Sequence, residues 1–261
     1  MADESMVRNL AAQALAIWPQ ESELLRRYGL ADDIRILDAG CGTGEISRRL
    51  AEFFPGSSVL GVDILDHHLE LARERYARYA PRLSFEHRSV FDLGLPAASF
   101  DLTVCRHVVQ AIPHPERVFA ELARVTRSGG RLHLIAEDYD MLHFRRGEPD
   151  PRDFWHEVPA RMSASEATNA FIGRDTPPML ARLGLLDVRV DYVTVDTLRV
   201  PRETFAAILE AWRDGYAKLA AELMGWPTGR ARGYFEAMIA NIRDPDGYAV
   251  WHVPVVSARV P

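Results

Sequence analysis

Short apolar runs alternate with helix-period segments through the first half of the chain. Ile34, Ile36 and Leu37 form the kind of run shown by a strand buried on both faces, and it ends at Asp38. Ile46, Leu50 and Phe53 then fall three to four apart, which predicts a helix closing near Pro55-Gly56. The alternation continues with a strand over 58–62, a helix over 66–80 carrying Leu69, Ala72 and Tyr76, and strands over 83–87 and 100–105. A helix over 113–127 turns Val118, Phe119, Leu122 and Val125 inward, Ser128-Gly129-Gly130 breaks it, and a fifth strand covers 131–136. Ahead of all this, positions 4–29 predict one or two helices with Leu10, Ala14, Ile17 and Trp18 on the apolar side and Pro19 as a break.

The second half is looser. A helix is expected over 175–183, with Thr176 placed to cap it ahead of Pro177, and a sixth strand over 187–195. Long amphipathic helices follow over 201–224 and 228–242, and a last strand over 249–258. Strand–helix alternation of this kind specifies an α/β class, a doubly wound, mostly parallel sheet of seven strands. Two stretches, 141–173 and 200–247, exceed that minimum. Both are expected as helical insertions that cover a ligand site, or as a dimer surface, since aromatic residues suit either use.

A chain of 261 residues can bury one sizeable core, and a single domain is expected over 1–261. Within it, 1–29 would be a helical cover, 30–140 a ligand-binding half, and 141–173 with 200–247 the lid. The net charge of −6 speaks against an extended nucleic-acid surface. With only Cys41 and Cys105, an acidic polar start and no long apolar run, a soluble protein of the reducing cytoplasm is expected. Nine histidines show no metal-ligand spacing, so no metal is expected.

Candidate chemistry concentrates in the loop that follows the first strand. Gly40, Gly42 and Gly44 stand at alternate positions between a strand and a helix, a geometry that brings ligand close to backbone and to a helix N-terminus. The spacing excludes a dinucleotide fingerprint, which counts to glycine at 45 or 47, where Glu45 and Ser47 stand. No Gly-Lys-Ser/Thr end is present, so a phosphate-cradling loop is excluded too. Asp63, 25 residues after Asp38, ends the second strand where a carboxylate can accept from both hydroxyls of a ribose; it could equally cap the helix that starts near Asp66.

LDAGCGTGEIS resembles the first motif of the class I S-adenosylmethionine-dependent methyltransferases. GVDILD at 61–66, LPAASFDLTVCRHVVQAI at 95–112 and ELARVTRSGGRLHLIAED at 121–138 follow in the family's order. The likeness covers about 30–140 and is to the small-molecule branch (methyltransferase type 11), which includes the quinone-biosynthesis enzymes. It implies a Rossmann-like methyltransferase fold with the last strand antiparallel, and S-adenosyl-L-methionine as cofactor. It implies Asp38, Gly40, Gly42 and Gly44 in the cofactor loop, with Asp63 and Ile64 at the ribose. Val90 and Phe91 would lie against the adenine, and Cys105 and Arg106 beside the methionine part. The acidic position near the adenine amine falls on Ser89 or Asp92, because SVFDLGLP departs from the usual length.

The resemblance further implies an acceptor atom, O or N, on a small aromatic or anionic metabolite. Aligning that atom with the sulfonium and excluding water is the main task of the protein. His107, Asp138 and Tyr139 are the candidate catalytic residues, with His143 and His156 as further proton acceptors or orienting groups. His107 has a structural alternative, a ring satisfied by a backbone carbonyl. Rival readings are a protein or RNA methyltransferase and a non-catalytic binder of the same cofactor. The first lacks an Asn-Pro-Pro-aromatic signature here, and the second conflicts with the intact glycine loop and Asp63.

Overall fold

A computed structural model describes residues 3–261; the first two positions of the expected N-terminal cover lie outside them. In chain order the elements are α1 (Asp3–Arg26), β1 (Arg35–Ala39), α2 (Glu45–Phe53), β2 (Ser58–Asp63), α3 (Asp66–Tyr76), β3 (Leu83–His87) and β4 (Phe100–Arg106). They continue with α4 (Pro115–Val125), β5 (Thr126–Ile135), β6 (Leu142–Phe144), α5 (Pro151–Glu166), α6 (Ile172–Arg182), β7 (Leu186–Asp196), α7 (Arg202–Met224), α8 (Thr228–Arg243) and β8 (Ala249–Arg259). The sheet has eight strands in the order β3-β2-β1-β4-β5-β8-β6, with β7 also paired to β8. β1 to β5 are mutually parallel, and β8 runs antiparallel to β5, from Arg131 opposite Arg259 to Ile135 opposite Val255.

The doubly wound, mostly parallel α/β architecture is therefore present, with eight strands in place of the seven expected. The extra strand is β6, whose three residues are too few to show a period; Leu142 pairs with Trp251 and Phe144 with Ala249. Pro19 does not break the first helix either. Proline removes the bond to the carbonyl four residues back, here that of the exposed Leu15 (58%), where solvent can replace it. Beyond the proline, Gln20 holds the helix by a two-way bond with the Thr194 backbone, Nε2 to O at 2.8 Å and N to Oε1 at 3.1 Å. Thr176 is likewise inside α6, its hydroxyl donating to the Ile172 carbonyl at 2.8 Å instead of capping a helix start.

Two compact units divide the chain: residues 3–21, 138–171 and 192–253 in one, and 22–137, 172–191 and 254–261 in the other. The second unit holds β1 to β5 and packs Leu37, Val62, Phe119, Leu122, Leu132 and Val256 into one core. The central strands β1 and β4 are buried on both faces, as their near-continuous apolar runs require, while β3 at the edge exposes Ser84 and His87. The first unit is mainly helical and also holds β6 and parts of β7 and β8. α7 and α8 bury Phe205, Leu209, Trp212, Phe235 and Met238, and Phe154 of α5 meets Phe235 edge-on at 4.9 Å between ring centroids. No helix among the described residues is long and apolar enough to cross a membrane.

Candidate functional site

In the second unit the strand order reverses between β1 and β4: the chain winds outward from β1 to β2 and β3, then returns beside β1. Ligands of doubly wound sheets bind outside the carboxyl ends of the strands at such a point. Residues 40–44 leave β1 there and 107–111 leave β4.

Gly40, Gly42 and Gly44 all adopt left-handed backbone, with φ of 75°, 52° and 77°. Gly40 has a second reason to be glycine, because a Cβ there would stand 2.3 Å from Cγ2 of Val108 in the β4 loop. The Gly40 and Cys41 amides both donate to the Val62 carbonyl, at 2.8 and 2.9 Å, which folds the loop back over β2. Asp38 is buried and accepts from the Ser47 hydroxyl at 2.6 Å, tying the end of β1 to α2. Asp63 accepts from the Gly42 amide at 2.8 Å and from the Leu65 amide, just ahead of α3, at 3.0 Å. The Leu65 bond holds the turn ahead of α3 and is not a helix cap, since the N-cap is Leu65 and has no side-chain cap bond; each Asp63 carboxylate oxygen keeps a further lone pair.

Beyond Asp63, Ile64 is exposed (59%) although apolar. Val90 is buried and Phe91 half-buried, with the Arg117 guanidinium 5.6 Å from the Phe91 ring centroid. Asp92 is exposed and closes a turn, its carboxylate accepting from the Gly94 amide at 3.2 Å while its own amide donates to the Ser89 carbonyl. Cys41 and Cys105 are buried free thiols. Burial first, then the charges of Asp38 and Asp63, push both thiols up, which disfavours the thiolate form of each. Arg106 is buried at the end of β4. Burial, with the positive charges of Arg48 and Arg106, pulls the Arg49 guanidinium below its ordinary range.

The catalytic candidates divide between the units. His107 leaves β4 in left-handed backbone (φ 56°), its amide donating to the Ile135 carbonyl at 3.0 Å. Its Nδ1 lies 2.5 Å from Oε1 of Glu137, and the side chains are 8% and 1% exposed. The structural alternative named for the ring, a backbone carbonyl, is therefore not what its Nδ1 meets. Asp138 and Tyr139 belong to the helical unit. Asp138 is buried and caps the short 3-10 turn over 139–141, accepting from the Asp140 amide. The Tyr139 ring stacks on Trp155 at 5.6 Å and meets Trp212 edge-on at 5.9 Å. His143 and His156 are exposed.

Buried polar atoms without a hydrogen-bond partner among the described residues, on residues not singled out by sequence, include Thr43 Oγ1, Arg49 Nε, Gln110 Oε1 and Glu137 Oε2, as well as Asn9 Oδ1 and Gln13 Oε1 of α1. Thr43, Gln110 and Glu137 follow β1, β4 and β5, three adjacent strands, at their carboxyl ends. Buried polar groups are normally paired, so these three strand ends offer atoms to which a ligand could bond. The available signal for Glu137 was its position next to Asp138 at a strand end. Among the described residues no group of three or more His, Cys, Asp or Glu could hold a metal ion.

Residues 36–130 match a family model described as "Methyltransferase domain". An O-methyltransferase of Pyrenophora dematioidea is 31% identical over 55% of this chain and 54% of its own length. An S-adenosyl-L-methionine-dependent Diels-Alderase of Talaromyces variabilis is 26% identical over 92% of this chain and 80% of its own. Several of the curated relatives are matched over only about half their length. Among solved structures, phosphoethanolamine N-methyltransferase 2 of Haemonchus contortus shares the fold with a TM-score of 0.60 at 20% identity, over 94% of this chain and 53% of its own.

Proposed function

We propose that this chain, whose residues 36–130 match a model described as "Methyltransferase domain", is a class I S-adenosylmethionine-dependent methyltransferase that moves a methyl group to an oxygen or nitrogen of a small aromatic or anionic metabolite. One observation carries the reading: a left-handed triple-glycine loop and a cluster of unpartnered polar atoms share the carboxyl ends of β1, β4 and β5. Bound S-adenosyl-L-methionine would supply the electrophilic methyl carbon on its sulfonium. The protein's own residues then position, orient and deprotonate.

In this reading Asp38 and the three glycines shape the cradle, and Asp63 takes the ribose hydroxyls with the lone pairs its two amide bonds leave. Ile64, Val90 and Phe91 give the nucleoside apolar surface, and Asp92 or Ser89 takes the adenine amine. Cys105 and Arg106 border the methionine part, where the Arg106 guanidinium favours a carboxylate. His107 receives the acceptor's proton, with Asp138 and Tyr139 the candidates from the helical unit. We assign selection of the acceptor to 141–173 and 200–247, which would alternatively furnish a dimer face. The free buried cysteines suit a reducing, cytoplasmic setting.

A second reading keeps the cofactor without spending its methyl group. It is favoured by the Diels-Alderase relative, whose match spans most of both chains. Calorimetric titration with S-adenosylmethionine, S-adenosylhomocysteine and NAD, followed by mass spectrometry for S-adenosylhomocysteine release against phenols, carboxylates and amines, separates the two. Methyl transfer predicts binding of the first two ligands and demethylated product with at least one acceptor class. Binding without product across the panel favours the second reading, and response to NAD alone overturns both.

A further inference from the structure

The His107–Glu137 pair is a buried imidazole–carboxylate contact with its own logic. β4 and β5 are parallel neighbours with Arg106 opposite Ile135, so the next residues of the two strands emerge side by side. The His107 amide is held by the Ile135 carbonyl at 3.0 Å, and the Glu137 carbonyl accepts from the Gly173 amide at 2.9 Å. Both backbones are pinned, and the side chains meet at 2.5 Å. A carboxylate is rarely buried to 1% exposure without several donors, because desolvation is costly. Glu137 has one side-chain partner, the ring of His107, and its Oε2 has none among the described residues. A residue kept only to brace the fold would be expected to use both oxygens.

Glu137 is an acceptor when ionised, so the ring nitrogen facing it must carry the hydrogen. We propose that Glu137 is a positioning residue that fixes His107 as the Nδ1–H tautomer, leaving the Nε2 lone pair to accept the proton lost by the methyl acceptor. This rests on the methyl-transfer reading above. In the step, the acceptor's O–H or N–H bond breaks and its proton passes to Nε2, while the electron pair released forms the bond to the methyl carbon. The carbon–sulfur bond breaks with its pair left on sulfur, which becomes a neutral thioether. The imidazolium, balanced by the Glu137 carboxylate, then returns its proton to water. A neutral carboxamide cannot provide that balance, and its NH₂ can orient the ring the other way.

The test has two readouts on the full chain with S-adenosylhomocysteine bound. Long-range ¹H–¹⁵N correlation on protein labelled at histidine reports each tautomer, and His107→Gln identifies the His107 signals by their loss. The expected result is Nδ1–H in the wild type and loss of that single tautomer in Glu137→Gln and Glu137→Leu. Nε2–H in the wild type, or an unchanged tautomer in both variants, overturns the proposal. With an acceptor in hand, Glu137→Gln should lower kcat by roughly a hundredfold with KM for S-adenosylmethionine within about twofold, and Glu137→Asp should recover part of it. The double variant His107→Gln/Glu137→Gln should be no slower than His107→Gln alone, as expected of residues acting as a unit; multiplicative losses would overturn the coupling. Melting curves and ligand titration exclude misfolding, with Glu137→Asp as the milder change. The tautomer needs no turnover, so a tautomer set by Glu137 in a protein that methylates nothing would sink the methyl-transfer reading, and the proton step with it, while the pairing stood.

Discussion

The Gly42 amide donates to Oδ2 of Asp63 at 2.8 Å, so the strand-two carboxylate and the glycine loop are one structural piece. With the Leu65 amide on its other oxygen, Asp63 holds two backbone donors. Its loss is therefore expected to cost stability as well as ligand. Asp63→Ala should lower the melting temperature of the ligand-free protein and weaken S-adenosylmethionine binding by roughly 1.5–3 kcal/mol, the order for a lost charge-assisted partner. Asp63→Asn keeps one acceptor oxygen and should recover part of the stability with little of the affinity. Thermal melts beside calorimetric titration check this; unchanged affinity in both variants would leave Asp63 with its structural role alone.

Gly40 offers a separate test of the loop, because two physical causes act on one residue. Its φ of 75° strains any side chain by about 1–2 kcal/mol, and a Cβ would also meet Val108 Cγ2 at 2.3 Å. Gly40→Ala should destabilise by both amounts, with overpacking adding roughly 1–3 kcal/mol. Adding Val108→Ala should remove the steric part and leave the backbone part. Denaturant titration of the two single variants and the double variant closes the cycle. If Val108→Ala gives no relief, the contact is not what excludes a side chain.

The strands that sequence made legible are those buried on both faces, where apolar residues run on without a break, as in Ile36-Leu37 and the 102–105 stretch of β4. The glycine loop was legible for a related reason: left-handed backbone at alternate positions has few residues that can satisfy it. Pro19 misled because the local rule counts the lost backbone bond and not the side-chain anchor of Gln20 on Thr194, 174 residues away. β6 was hidden by its length, and its pairing is set by β8 at the far end of the chain. The pairing of Glu137 with His107 was hidden for a similar reason. Which of two adjacent acids meets His107 depends on the register of β4 against β5, and composition does not carry register.

Asp101 supplies a pH test away from the ligand. Burial pulls its carboxyl upward, but the Arg35 amide at 2.8 Å and the Arg127 guanidinium outweigh this and hold it below the ordinary carboxylate range. A group whose folded value is depressed contributes stability that is fully present above its unfolded value and is lost as pH falls through the folded one. The unfolded value is about 3.9. Asp101→Asn keeps an oxygen for the Arg35 amide and removes the charge facing Arg127. Its cost should be about 1 kcal/mol near neutral pH, modest because the Arg127 side chain is half exposed. Wild type and variant should converge as pH falls below about 4. Urea titrations at a series of pH values measure the difference directly. A gap that stays constant through the acid range would mean that the Arg127 pairing contributes no charge-dependent stability, and that Asp101 works at the start of β1 through its bond to the Arg35 amide alone.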